Sequence, residues 1–206
     1  MEKSSKFLRE NLEFRAKWQS HKQSIHDPDV AEYLKHGVWR LCGTTRFGHV
    51  IELIKVGNFH PKDVTSDEVF TRTLIAESEY MSQMIHDAKA VHPTTGRIIE
   101  DVVVIFDMAG WSLFDQGTPR GLSLTKTLID VTQNCYPEGL EKCILFNAPW
   151  VFRTAWKILQ PLLDEHTASR VQFVTDPNVL HEFIDPSTLH TQYGGTRAEE
   201  WPIPAV

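Results

Sequence analysis

The sequence predicts an α/β fold in which a mainly parallel β-sheet is covered by helices. Three observations carry that expectation. Short apolar runs at 102–106, 143–146 and 171–174 have the length and β-branched or aromatic content of strands. Stretches of helical periodicity lie between and before them. Strands alternating with helices at this spacing form parallel crossovers.

Taken in order, residues 4–20 place Phe7, Phe14 and Trp18 on one helical stripe with Leu8, Leu12 and Ala16 beside it, an amphipathic helix that needs a surface to pack on. Asp27 as N-cap and Pro28 at the first helical position open a second, short helix, which Gly37 stops. Residues 38–42 and 49–56 read as strands joined by a hairpin loop at 43–48. Thr65 and Glu68 form a T-x-x-E capping box that opens a helix to about residue 88, with Phe70, Leu74, Met81, Met84 and Ile85 on its apolar side. The run at 101–107 shows no polar alternation and predicts a strand buried on both faces. Leu124, Leu128, Val131 and Cys135 mark the next helix, stopped by Pro137. A strand at 143–146, a helix at 151–163 and a strand at 171–174 follow.

The composition is that of an ordinary globular chain: 206 residues, 41% hydrophobic and 23% charged, with one core as the default. Three cysteines, Cys42, Cys135 and Cys143, without a CxxC pair fit free thiols in a reducing compartment, so a cytoplasmic location is expected. The first nine residues hold no apolar core region, so no targeting leader is expected. No apolar run approaches the roughly 20 residues of a membrane span, which leaves membrane contact peripheral. A net charge of −6 disfavours nucleic acid as a partner.

Chemistry-bearing motifs are absent. There is no GxxxxGK(S/T), no GxGxxG after a strand and no GxSxG turn. Cys143 is followed by Ile-Leu-Phe-Asn-Ala-Pro, where a thiolate would be costly and no arginine waits for phosphate. The pairs His21/His26, His86/His92 and His181/His190 lack the i, i+4 spacing that gathers metal ligands, so no metal site is expected. Asp107, ending a buried strand, is the best-placed catalytic acid, but an aspartate before Met108-Ala109-Gly110 can equally bond turn amides. In the helix at 151–163, Phe152, Trp156, Leu159 and Leu163 share one face and Val151, Ala155, Ile158 and Leu162 the next. Such a wide apolar arc belongs either to a core or to a helix that offers one side to lipid. Pro161 breaks one backbone bond near its end.

An ordered set of short motifs resembles a known family. Asp107-Met-Ala-Gly110, Tyr136-Pro137-Glu138, Asn147-Ala148-Pro149, Pro161-Leu-Leu-Asp164 with Thr167 and Arg170, and Tyr193-Gly194-Gly195 are present in sequence order. They resemble the D-x-x-G, Y-P-E, N-x-P, P-F-L-D…T-x-x-K and Y-G-G motifs of the CRAL-TRIO lipid-binding domains, which include fungal phosphatidylinositol/phosphatidylcholine transfer proteins and carriers of retinaldehyde and tocopherol. The resemblance covers 38–195, a lipid-binding domain. Residues 1–37 resemble only the last helix and linker of the family's small N-terminal helical domain, and 196–206 form a tail.

The resemblance implies a sheet floor with helices on one side and an apolar lipid cavity closed by a gating helix, here 151–163. Phe152, Trp156, Leu159 and Leu163 would form the gate, with Val102, Val104 and Phe106 on the cavity wall. Phosphatidylinositol-binding members use a glutamate after Y-P and a Thr-x-x-Lys pair; Glu138 and Thr167 match, and Arg170 stands for the lysine. Arginine keeps the cation and adds bidentate geometry. The alternative for these residues is an ion pair between Glu138 and Arg170. Phosphatidylcholine-binding members carry hydroxyl side chains where Val102 and Val104 stand, and valine cannot supply those hydrogen bonds. His190 replaces a proline and Gln192 a glutamate near the closing motif.

The implied function is non-enzymatic binding and intermembrane transfer, or presentation, of a phospholipid, phosphatidylinositol first, or of another small apolar lipid. No cofactor is implied beyond that ligand. Its partners would be the lipid, transiently a membrane surface, and a protein or second copy over the face that the N-terminal helical domain covers. The alternatives are a lipid-filled interaction module that does not exchange its ligand, and a lipid or phosphoester hydrolase working through Asp107 or a cysteine.

Overall fold

A computed structural model of the chain describes residues 2–135, 139–202 and 204. Its strands lie in the order β1-β2-β3-β4-β5, so every strand is beside its neighbour in sequence. β1 (Trp39–Thr44) and β2 (Val50–Lys55) form the expected antiparallel hairpin. The Thr45 hydroxyl organises the loop, accepting from the backbone N–H of Phe47 and of His49. β3 (Val102–Asp107), β4 (Leu140–Phe146) and β5 (Val171–Val174) then add in parallel.

The strand order never reverses, and parallel crossovers are right-handed, so all crossover helices fall on one face of the sheet. α3 (Asp67–Ala88) links β2 to β3, α4 (Pro119–Cys135) links β3 to β4, and α5 (Phe152–Leu159) with α6 (Glu165–Ser169) links β4 to β5. Ahead of the sheet, α1 (Glu2–Trp18) sets Phe14 and Trp18 against Phe70, Leu74 and Leu128 of α3 and α4, the surface its stripe requires. Leu8 and Leu12 of α1 point outward instead. α2 (Pro28–Leu34) buries Val30 and Leu34 beside Trp39.

The opposite face has no crossover helix. It is covered by the C-terminal segment, whose 3-10 turns bring Leu180, Ile184, Leu189 and Tyr193 against Ile51, Val103, Ile105, Ile144 and Phe146. Trp201, in the expected tail, stacks on Tyr193 with ring centroids 5.7 Å apart and belongs to this core.

Several local expectations are revised. The α3 cap is Ser66, whose hydroxyl accepts from Val69 N–H at 3.2 Å, and not its neighbour Thr65. β3 is not packed on both faces: Val103, Ile105 and Asp107 are buried, while Val102, Val104 and Phe106 remain half-buried. β4 starts at Leu140, three residues before the apolar run, in the half-buried stretch that includes Glu141 and Lys142. The helix expected at 151–163 is α5 up to Leu159 and then a 3-10 turn, Gln160–Leu162, where Pro161 withholds its N–H. α6, with five residues, is too short to show periodicity in the sequence.

Candidate functional site

Between the sheet and the helices lies a cavity of about 1310 Å³. Its floor is the half-buried face of the central strands: Glu52, Ile54, Val102, Val104, Phe106 and Leu145. Alternation along a strand explains it, since the partners of Glu52 across the sheet are Val104 and then Cys143, all on the side away from the packed core. α3 contributes Phe70, Leu74, Glu77 and Met81. α4 contributes Leu124 and Leu128. Phe152, Ala155, Trp156 and Leu159 of α5 close the β4–β5 side, followed by Leu162, Leu163 and Thr167.

All seven apolar residues assigned to gate and cavity therefore border one space: Phe152, Trp156, Leu159 and Leu163 with Val102, Val104 and Phe106. α5 resolves the ambiguity of its wide apolar arc by splitting it. Phe152, Ala155 and Leu159 are buried against Trp111 and Leu145, while Ile158 faces outward. Phe152 meets Trp111 edge-on at 5.1 Å, and Trp156 meets Phe173 of β5 at 5.5 Å.

The three residues expected at a head group are placed differently. Glu138 lies outside the described residues, as do Tyr136 and Pro137 and the side chains of Phe7 and Cys135. Thr167 borders the cavity, but its hydroxyl donates to Asp164 Oδ2 at 2.6 Å and its N–H to Asp164 Oδ1 at 2.9 Å. Asp164 is thus the N-cap of α6. Partial burial pushes its carboxyl up, and the Thr167 hydrogen bonds more than offset that, leaving it low. The side chain of Gln133 ties this cap to α4, donating to Leu162 C=O and accepting from Asp164 N–H. Arg170 is not among the cavity-lining residues; its guanidinium donates to both the carbonyl and the carboxylate of Glu141, each at 2.8 Å. Among the described residues its acidic partner is Glu141; Glu138, the partner in the alternative ion pair, lies outside them.

The motif residues away from the cavity turn out to be joints of the packed face. Asp107 accepts from Ala109 N–H at 3.0 Å, the turn bond expected of it, and from the Tyr193 hydroxyl at 2.8 Å. D-x-x-G and Y-G-G are therefore two halves of one contact. Gly110 turns the chain at φ +83°, and a Cβ on Gly195 would fall 1.9 Å from the Leu189 carbonyl oxygen, so both positions need glycine. Asn147 leaves β4 at φ 55°, a left-handed conformation that asparagine tolerates. Asp107 faces away from the cavity, and the Cys143 thiol is pushed up to about 12 by burial and by Glu52. Neither is arranged as a working acid or nucleophile on a cavity ligand.

Sequence reasoning missed two features. His49, Asp101 and Glu141 gather potential metal-ligand atoms within 4.8 Å of one another. All three residues already have protein partners, His49 Nε2 with Asp101 Oδ1 at 3.2 Å and Glu141 with Arg170. The other is a pair of carboxyls in the cavity. Glu77 is 9% exposed, and burial together with Glu52 holds its carboxyl well above the ordinary range. Burial pushes Glu52 up to about 7; the nearby Trp39 indole N–H pulls the other way without completing a hydrogen bond. Glu52 keeps accessible surface because it borders the cavity. The signal was legible: Glu77 sits on the α3 stripe between Leu74 and Met81, and Glu52 shares its strand face with Val50 and Ile54.

Among the described residues no helix is long and apolar enough to cross a membrane. Comparison with known proteins agrees with the geometry. A CRAL-TRIO domain-containing protein of Schizosaccharomyces pombe is 32% identical over 108 residues, 52% of this chain and 23% of the relative. Another, of Saccharomyces cerevisiae, is 29% identical over 136 residues, 65% of this chain and 42% of the relative. The chain thus spans less than half the length of either curated relative. The crystal structure of Sfh5 superposes with a TM-score of 0.76 at 18% identity, covering 97% of this chain and 70% of that one, a likeness of fold. The family model described as the CRAL/TRIO domain matches residues 34–195, and the chain belongs to that family, whose domains bind small lipophilic ligands.

Proposed function

We propose that this domain extracts a single apolar lipid from a membrane, encloses it between sheet and helices, and releases it at another membrane. The observation that carries this is the cavity itself. At about 1310 Å³ it exceeds the roughly 1,000 Å³ upper range of small-molecule pockets, and most of its named lining is aliphatic or aromatic. Such a wall matches acyl chains, each methylene of which costs about 0.8 kcal/mol when exposed to water.

Delivery needs a surface that meets the bilayer, and the outer side of α5 supplies one. Trp150 just before it is 82% exposed, Ile158 on it 54%, and Phe114, in the loop between β3 and α4, 95%. Arg153 and Lys157 lie on the same helix. Apolar side chains with flanking cations suit an interface between head groups and acyl chains. α5 moving outward would open the cavity where its apolar side can stay buried.

Phosphatidylinositol is the lipid that the motif resemblance favours. Its phosphate would take over the Arg170 guanidinium from Glu141, with Thr167 and Glu138 completing the head-group set. Arg170 supports this because its guanidinium already holds an anionic partner, donating from Nη1 to the Glu141 carbonyl and carboxylate, and a guanidinium can bind phosphate through two N–H groups at once. The experiment is transfer of labelled phosphatidylinositol and phosphatidylcholine between vesicles. The expected result is catalysed transfer, with Arg170→Ala lowering phosphatidylinositol transfer about tenfold, the factor given by about 1.4 kcal/mol. Equal transfer by Arg170→Ala would remove the head-group assignment, and no transfer of either lipid would remove the carrier.

A further inference from the structure

His166 links the cavity to Arg170: it borders the cavity, where Arg170 does not, and its ring meets the guanidinium. The two are one helical turn apart, His166 within α6 and Arg170 at its C-terminal cap, so they lie on the same side of the turn. Arg170 Nε donates to His166 Nε2 at 3.3 Å, and Nη2 lies 3.2 Å from the same nitrogen. A guanidinium only donates, so Nε2 is the acceptor and carries no proton in this arrangement. Nη1 is spent on Glu141. Both sides of the guanidinium are thus occupied, one by a carboxylate and the other by an imidazole.

The neighbouring polar groups at this rim are already committed. The Thr167 hydroxyl and N–H both donate to Asp164, and Gln133 of α4 is spent on Leu162 C=O and Asp164 N–H. Among the described residues the charges around His166 are Arg170, its chain neighbours Asp164 and Glu165, and Glu141 behind Arg170. A phosphate arriving from the cavity takes the Nε–Nη2 edge of Arg170, the edge that holds an oxyanion through two parallel N–H bonds. His166 has to give that edge up. Arg170 then brings one positive charge to two anions, the phosphate and the Glu141 carboxylate that it holds or has just released. A neutral imidazole leaves the second anion unmatched, whereas an imidazolium matches it and donates Nε2–H to the phosphate.

We propose that His166 is a further head-group residue: a phosphate docks on the edge of Arg170 that His166 now covers, and His166 takes up a proton and closes on that phosphate. This rests on Arg170 being the phosphate site of the cavity. Capture of the head group is then coupled to proton uptake. The sign follows from the bound state being the protonated one: affinity rises as pH falls through the range where histidine titrates, and is lost as pH rises above it. A ligand with the same chains and no phosphate has no use for that proton.

The test is calorimetric titration of the delipidated full chain with dihexanoyl-phosphatidylinositol, dihexanoylglycerol and glycerophosphoinositol at pH 5.5 and 7.5. Relative to dihexanoylglycerol, the phosphatidylinositol is expected to gain about tenfold in affinity at the lower pH, following the protonated fraction of an imidazole. Titrations at pH 7.5 in buffers of different ionisation enthalpy should show proton uptake with it. His166→Gln, at an exposed position, should remove both signatures while dihexanoylglycerol affinity stays within about twofold, which also reports a folded variant. Glu52, pushed up to about 7, titrates in the same interval, but the variant and the phosphate-free probe both keep it, so the comparisons cancel it. Glycerophosphoinositol should follow the same pH profile far more weakly; affinity equal to that of the lipid would assign the site to a soluble phosphate ester and remove the lipid. Phosphatidylinositol binding without the extra pH dependence, or with the same dependence in His166→Gln, overturns the proposal. If Arg170→Ala still weakens binding in that case, the head-group reading survives without His166; if it does not, both fall.

Discussion

The two faces of the sheet use the same alternating strands for opposite ends. Below, Ile51, Val103, Ile105 and Ile144 meet the C-terminal segment in a packed layer closed by the Asp107–Tyr193 hydrogen bond. Above, Val102, Val104, Phe106 and Leu145 meet a cavity. The packed layer holds the sheet rigid, so the helices above need not fill their own interior to fix the fold. Family motifs divide along the same line: D-x-x-G and Y-G-G serve the packed face, and the segment with Asp164 and Thr167 serves the rim of the cavity.

Substitutions should separate the faces by size of effect. Leu180→Ala, at a fully buried position of the packed layer, is expected to cost about 2 to 5 kcal/mol in urea unfolding. Val104→Ala, on the cavity wall, removes atoms that already border empty space and should cost less than about 1 kcal/mol. Equal costs would mean that the two faces are packed alike.

The acid pair gives the next largest effect, visible in pH. An unfolded Glu52 ionises above about 4.5, whereas the folded one stays protonated to about 7. Between those values the unfolded chain binds fewer protons, so stability falls as pH rises, by on the order of 3 kcal/mol for this group. Glu77 is shifted in the same direction and extends the fall. Melting curves from pH 5 to 8 should show it, and Glu52→Gln should flatten the slope; an unchanged slope would place the carboxyl in water.

Tyr193→Phe deletes the hydroxyl that bonds a buried Asp107, a loss of about 1 to 3 kcal/mol with lipid uptake unaffected. The smallest effect on stability, within about 0.5 kcal/mol, belongs to Trp150→Ala, which should still lower vesicle co-sedimentation because that ring is exposed beside α5. Reduced lipid uptake in Tyr193→Phe, or unchanged sedimentation of Trp150→Ala, would blur the division between the faces.

The sheet was legible because its strands are short apolar runs between periodic stretches, and the order of family motifs fixed the class. The cavity was not, for a physical reason. A valine facing a void and a valine facing a core look the same in sequence, so the run at 102–106 read as packed on both sides. Neighbouring hydroxyls explain the one-residue error at the α3 cap, where Thr65 and Ser66 both fit. The head-group trio was implied by the family resemblance, which says nothing of partners such as Glu141 and Asp164. Glu52 and Glu77 stood in view as charges on apolar faces, without a motif to mark them.

The central claim, that the upper face encloses a lipid, is tested most directly by native mass spectrometry of the purified chain followed by extraction and identification of what it carries. One phospholipid or similar amphiphile per chain, exchanged on incubation with vesicles, is the predicted result. A folded protein that stays empty after that incubation would contradict it.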